Sequence, residues 1–395
     1  MRHQGGVMRK KRDALFVVLF LIIFINGFES GGYQASLLEI GKEYNLTHTS
    51  MGFFASFELL ADMLAPILLG HWADRTGKRR SILVMLGIQV VSNLLIVFWT
   101  SNYVFLFSIF MIGLTTSALQ FISLAALADA YPVTGTTKIG YITSLYALGA
   151  LVSPLIVRFY LRMGIGWRML FILLAATSLI ALLCVRVVTF LVREQPVVAS
   201  QGAGGREKML IVGVLLLCVI MCIYVGFENG FSFFIDTYMN TQLHTENGKI
   251  VLSVFWAAMI PARILAGKFS AKARQILYLC CISIPILTIA IAFSTSQLLI
   301  FILTIPLGMA SGAIYPSVLN TSFGFAGKST ATVTGMITTA TGVGGVIFTA
   351  LTGILTDQFG IRMAIAALAA FFILAILSVA GLGRVGCMKV KKQSE

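Results

Sequence analysis

Twelve apolar stretches, each about twenty residues long, constrain this chain more than any other feature of its sequence. A helix rises ~1.5 Å per residue, so a stretch of this length crosses the ~30 Å hydrocarbon core of a bilayer. Hydrophobic residues make up 58% of the chain and charged residues only 11%, far below the charged share of a soluble domain. The predicted fold class is an all-α membrane protein with twelve transmembrane helices.

The hydropathy pattern places these helices at about 14–38, 49–71, 81–100, 103–130, 138–160, 167–190, 209–239, 249–269, 275–294, 297–322, 330–356 and 361–384. The longest polar interruption, 193–208, contains several glycines and predicts a flexible cytoplasmic linker. We therefore expect an N-terminal six-helix bundle at 1–192 and a C-terminal six-helix bundle at 209–395.

Short phrases recur at corresponding places in the two halves. Gly27-Phe28-Glu29 in the first helix returns as Gly226-Phe227-Glu228 in the seventh, and Gly70 at the end of the second helix returns as Gly267 at the end of the eighth. Parallel six-helix repeats with a site near the middle of the membrane are an architecture of transporters. The sequence thus predicts two pseudo-symmetric bundles with an acidic group at matching depth in each.

Lysine and arginine are concentrated on one side of the predicted membrane. Most lie in the tails and in the loops on the side of both termini, beginning with Arg9-Lys10-Lys11-Arg12. The positive-inside rule places both termini in the cytoplasm, and we expect a plasma (inner) membrane protein. The same bias explains the net charge of +14 without nucleic-acid binding, because no soluble domain is predicted to carry a basic surface.

The loop after the second helix carries a specific motif, Gly70-His71-Trp72-Ala73-Asp74-Arg75-Thr76-Gly77-Lys78-Arg79-Arg80. It resembles the G-x-x-x-D-R-x-G-R-R signature of the major facilitator superfamily, with Lys78 in place of the first closing arginine. The resemblance implies twelve helices in two six-helix bundles and transport by alternating access. It also implies a cytoplasmic gating motif made of Gly70, Asp74, Arg75, Gly77, Lys78, Arg79 and Arg80.

Physical chemistry suggests a role for several residues of the gating motif. Gly70 would let neighbouring helices approach closely, and Gly77 would permit a tight turn. The family resemblance implies that Asp74 meets the N-terminus of the eleventh helix, near Ser329 and Thr330, where a negative charge is favoured. The basic residues also serve as topology determinants, which is an alternative compatible with the gate.

Two further resemblances indicate different substrates. The fifth helix, with Gly140, Gly149, Ser153 and Pro154, is similar to the antiporter motif of drug-efflux members, although Ser153 replaces a glycine and the closing glycine pair is absent. A helix packed through its glycines and kinked by its proline is the alternative explanation. The seventh helix, Tyr224-Val225-Gly226-Phe227-Glu228, resembles fucose/glucose-type sugar permeases of the superfamily.

Polar side chains inside the predicted helices share faces, because neighbours on a helix recur every three or four residues. At ~1.5 Å per residue, Glu29, Glu58 and Glu228 all lie roughly 14–16 Å from the outer ends of their helices. The family resemblance implies that helices 1, 4, 7 and 10 line the cavity. The proton-coupling candidates are Glu29, Glu58, Asp62 and Glu228. The substrate-cavity candidates are Asn26, Tyr33, Gln120, Tyr224, Glu228, Asn229, Ser232, Tyr315 and Asn320, with Asp236 continuing the stripe on the seventh helix.

The buried acids indicate how transport could be driven. A carboxyl group that loses contact with water holds a proton more firmly, so it can load and release one as access alternates. Structural hydrogen bonds or ion pairs between helices are the alternative role. The acidic neighbours expected for Glu29 favour a proton site there, while the polar neighbours of Glu228 favour substrate binding.

Arg263 is the one basic residue embedded within a predicted helix, shortly after Pro261. It could pair with an acid, contact an anionic substrate, or extend toward the cytoplasmic surface roughly two turns away. Extension toward the surface is the favoured interpretation at this point.

Together these features predict a proton-coupled secondary transporter of a sugar or similar polar metabolite. Proton-driven efflux of drugs or other organic compounds is the main alternative, and a transporter-like nutrient sensor is a third. No P-loop is present in the sequence, which argues against ATP-driven pumping, and no pattern of a catalytic, metal or cofactor site is evident. The expected partners are a small-molecule substrate, protons and the lipid bilayer, with the protein a monomer.

Overall fold

The computed structural model describes residues 2–130, 135–188, 210–326 and 330–394, which are almost entirely helical. Within these ranges, the side chains at 2–12, 74, 128–129, 135–143, 323, 326, 330–332 and 385–394 are outside the description. The predicted linker at 193–208 also lies outside the described residues.

Thirteen α-helices are formed by the described part of the chain. They are α1 (Arg2–Glu43), α2 (His48–Thr76), α3 (Lys78–Phe98), α4 (Asn102–Ala130), α5 (Gly135–Arg162), α6 (Met169–Val187), α7 (Ile211–Leu243), α8 (Gly248–Lys268), α9 (Ala273–Ala292), α10 (Gln297–Ala326), α11 (Thr330–Phe359), α12 (Ile361–Ala370) and α13 (Phe372–Ser394). A short 3₁₀ turn, Ser270–Lys272, precedes α9.

Twelve segments of this structure are long and apolar enough to cross a membrane. The twelfth, Ile361–Arg384, combines α12 with most of α13, which are separated at Phe371. The prediction of an all-α membrane protein with twelve spans is confirmed, and most predicted helix ends lie within a few residues of the observed ones.

Two compact units divide the chain. The first unit comprises Met1–Ile40 and Phe57–Ala199, and the second unit comprises Gly41–Ser56 and Ser200–Glu395. The end of α1 and the first turns of α2 thus group with the second unit, although they precede the predicted domain boundary in sequence. The predicted domain limits remain a prediction.

In the first unit, α1 and α5 touch along their backbones. A methyl group on Gly27 would overlap the carbonyl of Tyr146, and one on Gly149 would overlap the carbonyl of Phe24. Such close approach is possible only where a residue lacks a side chain. Packing therefore accounts for Gly27 and Gly149, as the alternative interpretation of the fifth helix proposed.

In the second unit, α7 and α11 make the equivalent contact. A Cβ on Gly344 would overlap the backbone of Cys222, and one on Gly226 would meet the ring of Phe348. Because both contacts advance by one turn on each helix, α7 and α11 run in the same direction, as α1 and α5 do. The internal repeat of the sequence reappears as a repeated packing arrangement within each unit.

The same relationship links α2 with α4 and α8 with α10. Gly113 of α4 abuts the carbonyl of Glu58, and Gly312 of α10 abuts the backbone of Met259. The glycines thus set the register of α4 against α2 and of α10 against α8. This register decides which polar side chains of the second and eighth spans meet those of their neighbours.

Candidate functional site

Three acidic side chains gather in the first unit, and we call them the acid cluster: Glu29 of α1 with Glu58 and Asp62 of α2. Glu29 is fully buried and Glu58 is 7% exposed. The carboxyl groups of Glu29 and Glu58 interact directly, and Asp62 acts electrostatically on both. The structure thus brings together three of the four proton-coupling candidates.

Local structure explains why these acids converge. Glu58 and Asp62 lie one turn apart on the same face of α2. The absence of a side chain at Gly113 lets α4 approach α2 at Glu58, and one turn further the Ser117 hydroxyl donates to the carbonyl oxygen of Asp62, 2.9 Å away.

The acid cluster has no cationic partner in the described structure: no lysine, arginine or histidine forms an ion pair with any of its members. Among the described residues, neither carboxyl oxygen of Glu29 has a hydrogen-bond partner within the usual distance, and both oxygens are buried. Carboxylates placed this close in a low-dielectric interior repel one another strongly.

Two predicted polar residues of α1 surround the acid cluster. Asn26 is buried and its Nδ2 donates to the carbonyl of Thr116 at 2.8 Å, while its Oδ1 has no partner among the described residues. Tyr33, one turn beyond Glu29, interacts electrostatically with Glu29 and Glu58. Its ring also packs against Phe105, with 6.3 Å between the ring centroids. Their place in a substrate cavity stays a prediction.

Tyr146 of α5 was missed by the sequence analysis. It contacts Ser30 and lies within electrostatic reach of all three members of the acid cluster. No pattern in α5 identified it, because its position follows from the contact of α5 with Gly27. The glycine pairing between α1 and α5 is the signal that would have found it.

A second polar network in the first unit joins α3, α4 and α6. The amide of Gln89 donates to the Thr116 hydroxyl at 3.4 Å and accepts from the Ser178 hydroxyl at 3.3 Å. The backbone carbonyl of Thr116 also accepts the hydrogen bond from Asn26. The network therefore reaches the residue next to Ser117, which contacts the acid cluster at Asp62. Gln120, a predicted cavity residue, lies one turn further along α4 and is half-buried.

In the second unit, Tyr224 and Glu228 of α7, Arg263 of α8 and Tyr315 of α10 form what we call the arginine cluster. Arg263 interacts electrostatically with Tyr224, Glu228 and Tyr315. Glu228 and Arg263 do not approach to the 4.0 Å of an ion pair in the described structure. The expectation that Arg263 mainly extends toward the surface is thereby corrected, because it shares an environment with two predicted cavity residues and an acid.

The remaining predicted cavity residues have different surroundings. Asn229 donates to the carbonyl of Val225 on its own helix at 3.0 Å. Ser232 is buried with its hydroxyl unpaired among the described residues, and Asn320 is half-buried. Asp236, which continues the predicted stripe on α7, forms a buried ion pair with Lys249 at 2.5 Å, so its carboxylate has a structural partner.

The gating motif is described only in part. Gly77 has a φ of 86°, which favours glycine and confirms the predicted tight turn. Among the described residues, no atom lies within 4 Å of a Cβ placed on Gly70, so the predicted close helix approach there is wrong. Arg75 and Arg80 are exposed.

Two basic residues of the motif bind backbone carbonyls: Lys78 donates to Ala125 at 3.2 Å and Arg79 donates to Arg186 at 2.6 Å. The side chains of Asp74 and Thr330, and all of Ser329, lie outside the described residues. The expected contact of Asp74 with the eleventh helix therefore stays a prediction.

Among the residues that the structure describes, no group of three or more histidine, cysteine, aspartate or glutamate side chains is arranged to hold a metal ion. The two clusters themselves consist of carboxyl, phenol hydroxyl and guanidinium groups.

Comparison with known proteins places the chain in a family. The sequence model of the Major Facilitator Superfamily matches residues 19–349, with a second match at 217–386. The chain is similar to Multidrug resistance protein 2 of Bacillus subtilis (strain 168), with 23% identity over 365 residues, 88% of this chain and 90% of the relative. It is also similar to the glucose/mannose transporter GlcP of the same organism, with 24% identity over 354 residues and 85% of each chain.

Solved structures share the fold. A bacterial homolog of the human lysosomal transporter Spinster, in an inward-facing and unoccupied conformation, aligns with a TM-score of 0.77 and 15% identity, covering 96% of this chain and 98% of that one. A D-xylose–proton symporter aligns with a TM-score of 0.74 and 15% identity, covering 93% and 96%. Since the family model covers well over half of the sequence, this chain belongs to the Major Facilitator Superfamily.

Proposed function

We propose that this protein is a proton-coupled secondary active transporter that moves a small polar solute by alternating access. The observation that carries the proposal is the acid cluster, in which Glu29, Glu58 and Asp62 are packed together with no ion-paired cation among the described residues. A purely structural role would be served better by an ion pair or by apolar side chains. Intramembrane carboxyl groups of this kind suit proton relays.

The two clusters support a division of labour. In the first unit, a proton arriving from one side of the membrane binds a carboxylate of the acid cluster and relieves its repulsion. It leaves to the other side when access changes. In the second unit, the phenols, carboxylate and guanidinium of the arginine cluster offer hydrogen bonds to a polar solute.

Efflux of organic compounds is the second candidate function. The similarity to Multidrug resistance protein 2 and the partial antiporter pattern of α5 favour it. The similarity to GlcP and the polar lining of the arginine cluster favour a sugar or related metabolite. We prefer the polar solute because a guanidinium and a carboxyl group within apolar helices, those of Arg263 and Glu228, suit a polar ligand better than an apolar one.

Topology completes the proposal. The excess of basic residues on the side of both termini favours cytoplasmic termini and a plasma (inner) membrane location. The protein is proposed to act as a monomer, with residues 70–80 gating on the cytoplasmic side.

The test is transport by the purified full-length chain in proteoliposomes. Counterflow against a panel of sugars, organic acids and lipophilic dyes identifies the solute class, and an imposed pH gradient then tests coupling. We expect the gradient to drive accumulation in the wild type. Accumulation that ignores the gradient, and persists unchanged in Glu29→Gln, would sink proton coupling, while dye extrusion alone would favour the efflux alternative.

A further inference from the structure

Arg263 is an arginine inside a membrane-spanning helix that lacks a full complement of partners. Its Nε is buried and has no hydrogen-bond acceptor among the described residues. Ionisable groups inside spans are costly, so they are retained where they serve an ion or a substrate. A guanidinium has five N–H donors in a planar fork, so it can bind a planar anionic group through two of them at once.

Packing of α8 against α10 fixes where Arg263 lies. Gly308 abuts Phe255 and Gly312 abuts Met259, so the two helices run in the same direction and advance together. One further turn along each helix brings Arg263 beside Tyr315, and the two side chains interact electrostatically. Tyr315 is 39% exposed, so the described residues leave this side of the cluster uncovered.

The neighbours on α7 do not neutralise Arg263 by direct contact. Glu228 acts on it electrostatically but stays beyond ion-pair distance in the described structure. Tyr224 is buried and its hydroxyl, like the Arg263 Nε, lacks a hydrogen-bond partner within the usual distance among described residues. The other buried acid of α7, Asp236, forms an ion pair with Lys249. Arg263 therefore has no direct ion pair in the described structure.

The repeat makes the difference between the units explicit. Gly113 of α4 faces Glu58 in the first unit, whereas the glycines of α10 face Phe255 and Met259 in the second. The second unit therefore has apolar residues where the first has an acid. Arg263 lies one turn beyond Met259 on α8. The ionisable residue that α8 contributes next to α10 is thus basic, whereas those that α2 contributes next to α4 are acidic.

We propose that Arg263 is the binding residue for an oxyanion group of the transported solute, so that the solute is an organic anion such as a sugar acid. This inference rests on the proposed transport function and names its substrate class. The guanidinium binds the carboxylate or phosphate of the solute by paired N–H donors, and Tyr224 and Tyr315 add hydroxyl donors. Glu228 accepts from the hydroxyl groups of the same solute and compensates Arg263 when the site is empty.

The experiment compares solutes that differ in one group. Full-length protein in proteoliposomes is assayed by counterflow with a hexose, the hexuronate that differs from it only at the terminal carbon, and the corresponding hexose phosphate. We expect exchange of one or both anions and at least about 30-fold weaker exchange of the neutral hexose, from the penalty of leaving a buried charge unpaired. The two anion arms distinguish a carboxylate from a phosphate.

Variants assign the effect to Arg263. Arg263→Gln should lose anion exchange by a similar factor, and Arg263→Lys, which keeps the charge but not the planar fork, should recover part of it. Arg274→Gln is the matched control, because Arg274 is exposed at the start of α9. It should exchange anions like the wild type.

The outcomes separate this inference from the proposed function. Equal exchange of hexose and hexuronate by the wild type would overturn the anion site even if Arg263→Gln fails to fold. An anion exchange that Arg263→Gln leaves unchanged would overturn it as well. Anion exchange in the wild type combined with net accumulation that ignores an imposed pH gradient would instead reject proton coupling and leave the role of Arg263 intact.

Discussion

The carboxylate of Asp357, near the end of α11, lies at the N-terminus of α2 beside His48. Its Oδ1 accepts from the backbone N–H of His48 at 3.1 Å and contacts the His48 Nδ1 at 2.8 Å. Its Oδ2 accepts from the backbone N–H of Thr49 at 2.7 Å. An acid from a distant part of the chain thus satisfies two of the free donors at the start of α2, where the helix dipole favours a negative charge.

The first prediction concerns this cap. Asp357→Asn removes the charge and turns one acceptor into a donor, so the variant should be less stable by about 1–2 kcal/mol. Thermal unfolding in detergent measures the change. Glu246→Gln, at an exposed acid of the loop before α8, is the control and should leave the transition in place. An unchanged transition in Asp357→Asn would show that the cap contributes nothing.

The second prediction concerns the acid cluster. Glu58→Gln removes one of three repelling carboxyl groups while keeping its shape, so the protein should become more stable, by a few degrees in thermal unfolding. The same variant should lose accumulation driven by a pH gradient and keep solute exchange. A loss of stability together with full gradient-driven uptake would mean that the cluster is a structural element.

The third prediction uses two glycines of the same helix. Gly344→Ala should destabilise the protein by about 1–3 kcal/mol, because the new methyl group overlaps the backbone of Cys222. Gly335→Ala introduces the same group into open space and should be neutral or stabilising. Expression level and thermal unfolding compare the two, and equal behaviour would refute the close packing of α7 and α11.

The fourth prediction concerns Asp236 and Lys249, which are 2% and 5% exposed. Asp236→Asn leaves a buried ammonium without its counter-charge and should cost about 3–5 kcal/mol. Combining it with Lys249→Met removes both charges and should recover most of that loss. A double variant as unstable as the single one would show that the aspartate acts through contacts other than the ion pair.

Much of the candidate site could be predicted from the sequence. Glu29, Glu58 and Asp62 were grouped because helical spacing places each on a definite face and because apolar length fixes depth. Tyr146 could not be found this way, since its neighbours lie on other helices. Gly70 was interpreted wrongly for the same reason, because a glycine at a helix end does not reveal whether another helix is near.

The sequence by itself determined the twelve spans, the two related halves and the family. Those properties depend on the length and polarity of local segments and on the spacing of a loop motif. They can therefore be derived without knowing which helices pack against each other. Only the tertiary structure decided that Arg263 joins Glu228 and Tyr315, that Asp236 is taken by Lys249, and that Asp357 caps α2. These pairings depend on the rotation and register of each helix against its neighbours, which are set by side-chain packing at glycine contacts rather than by any periodicity along one helix.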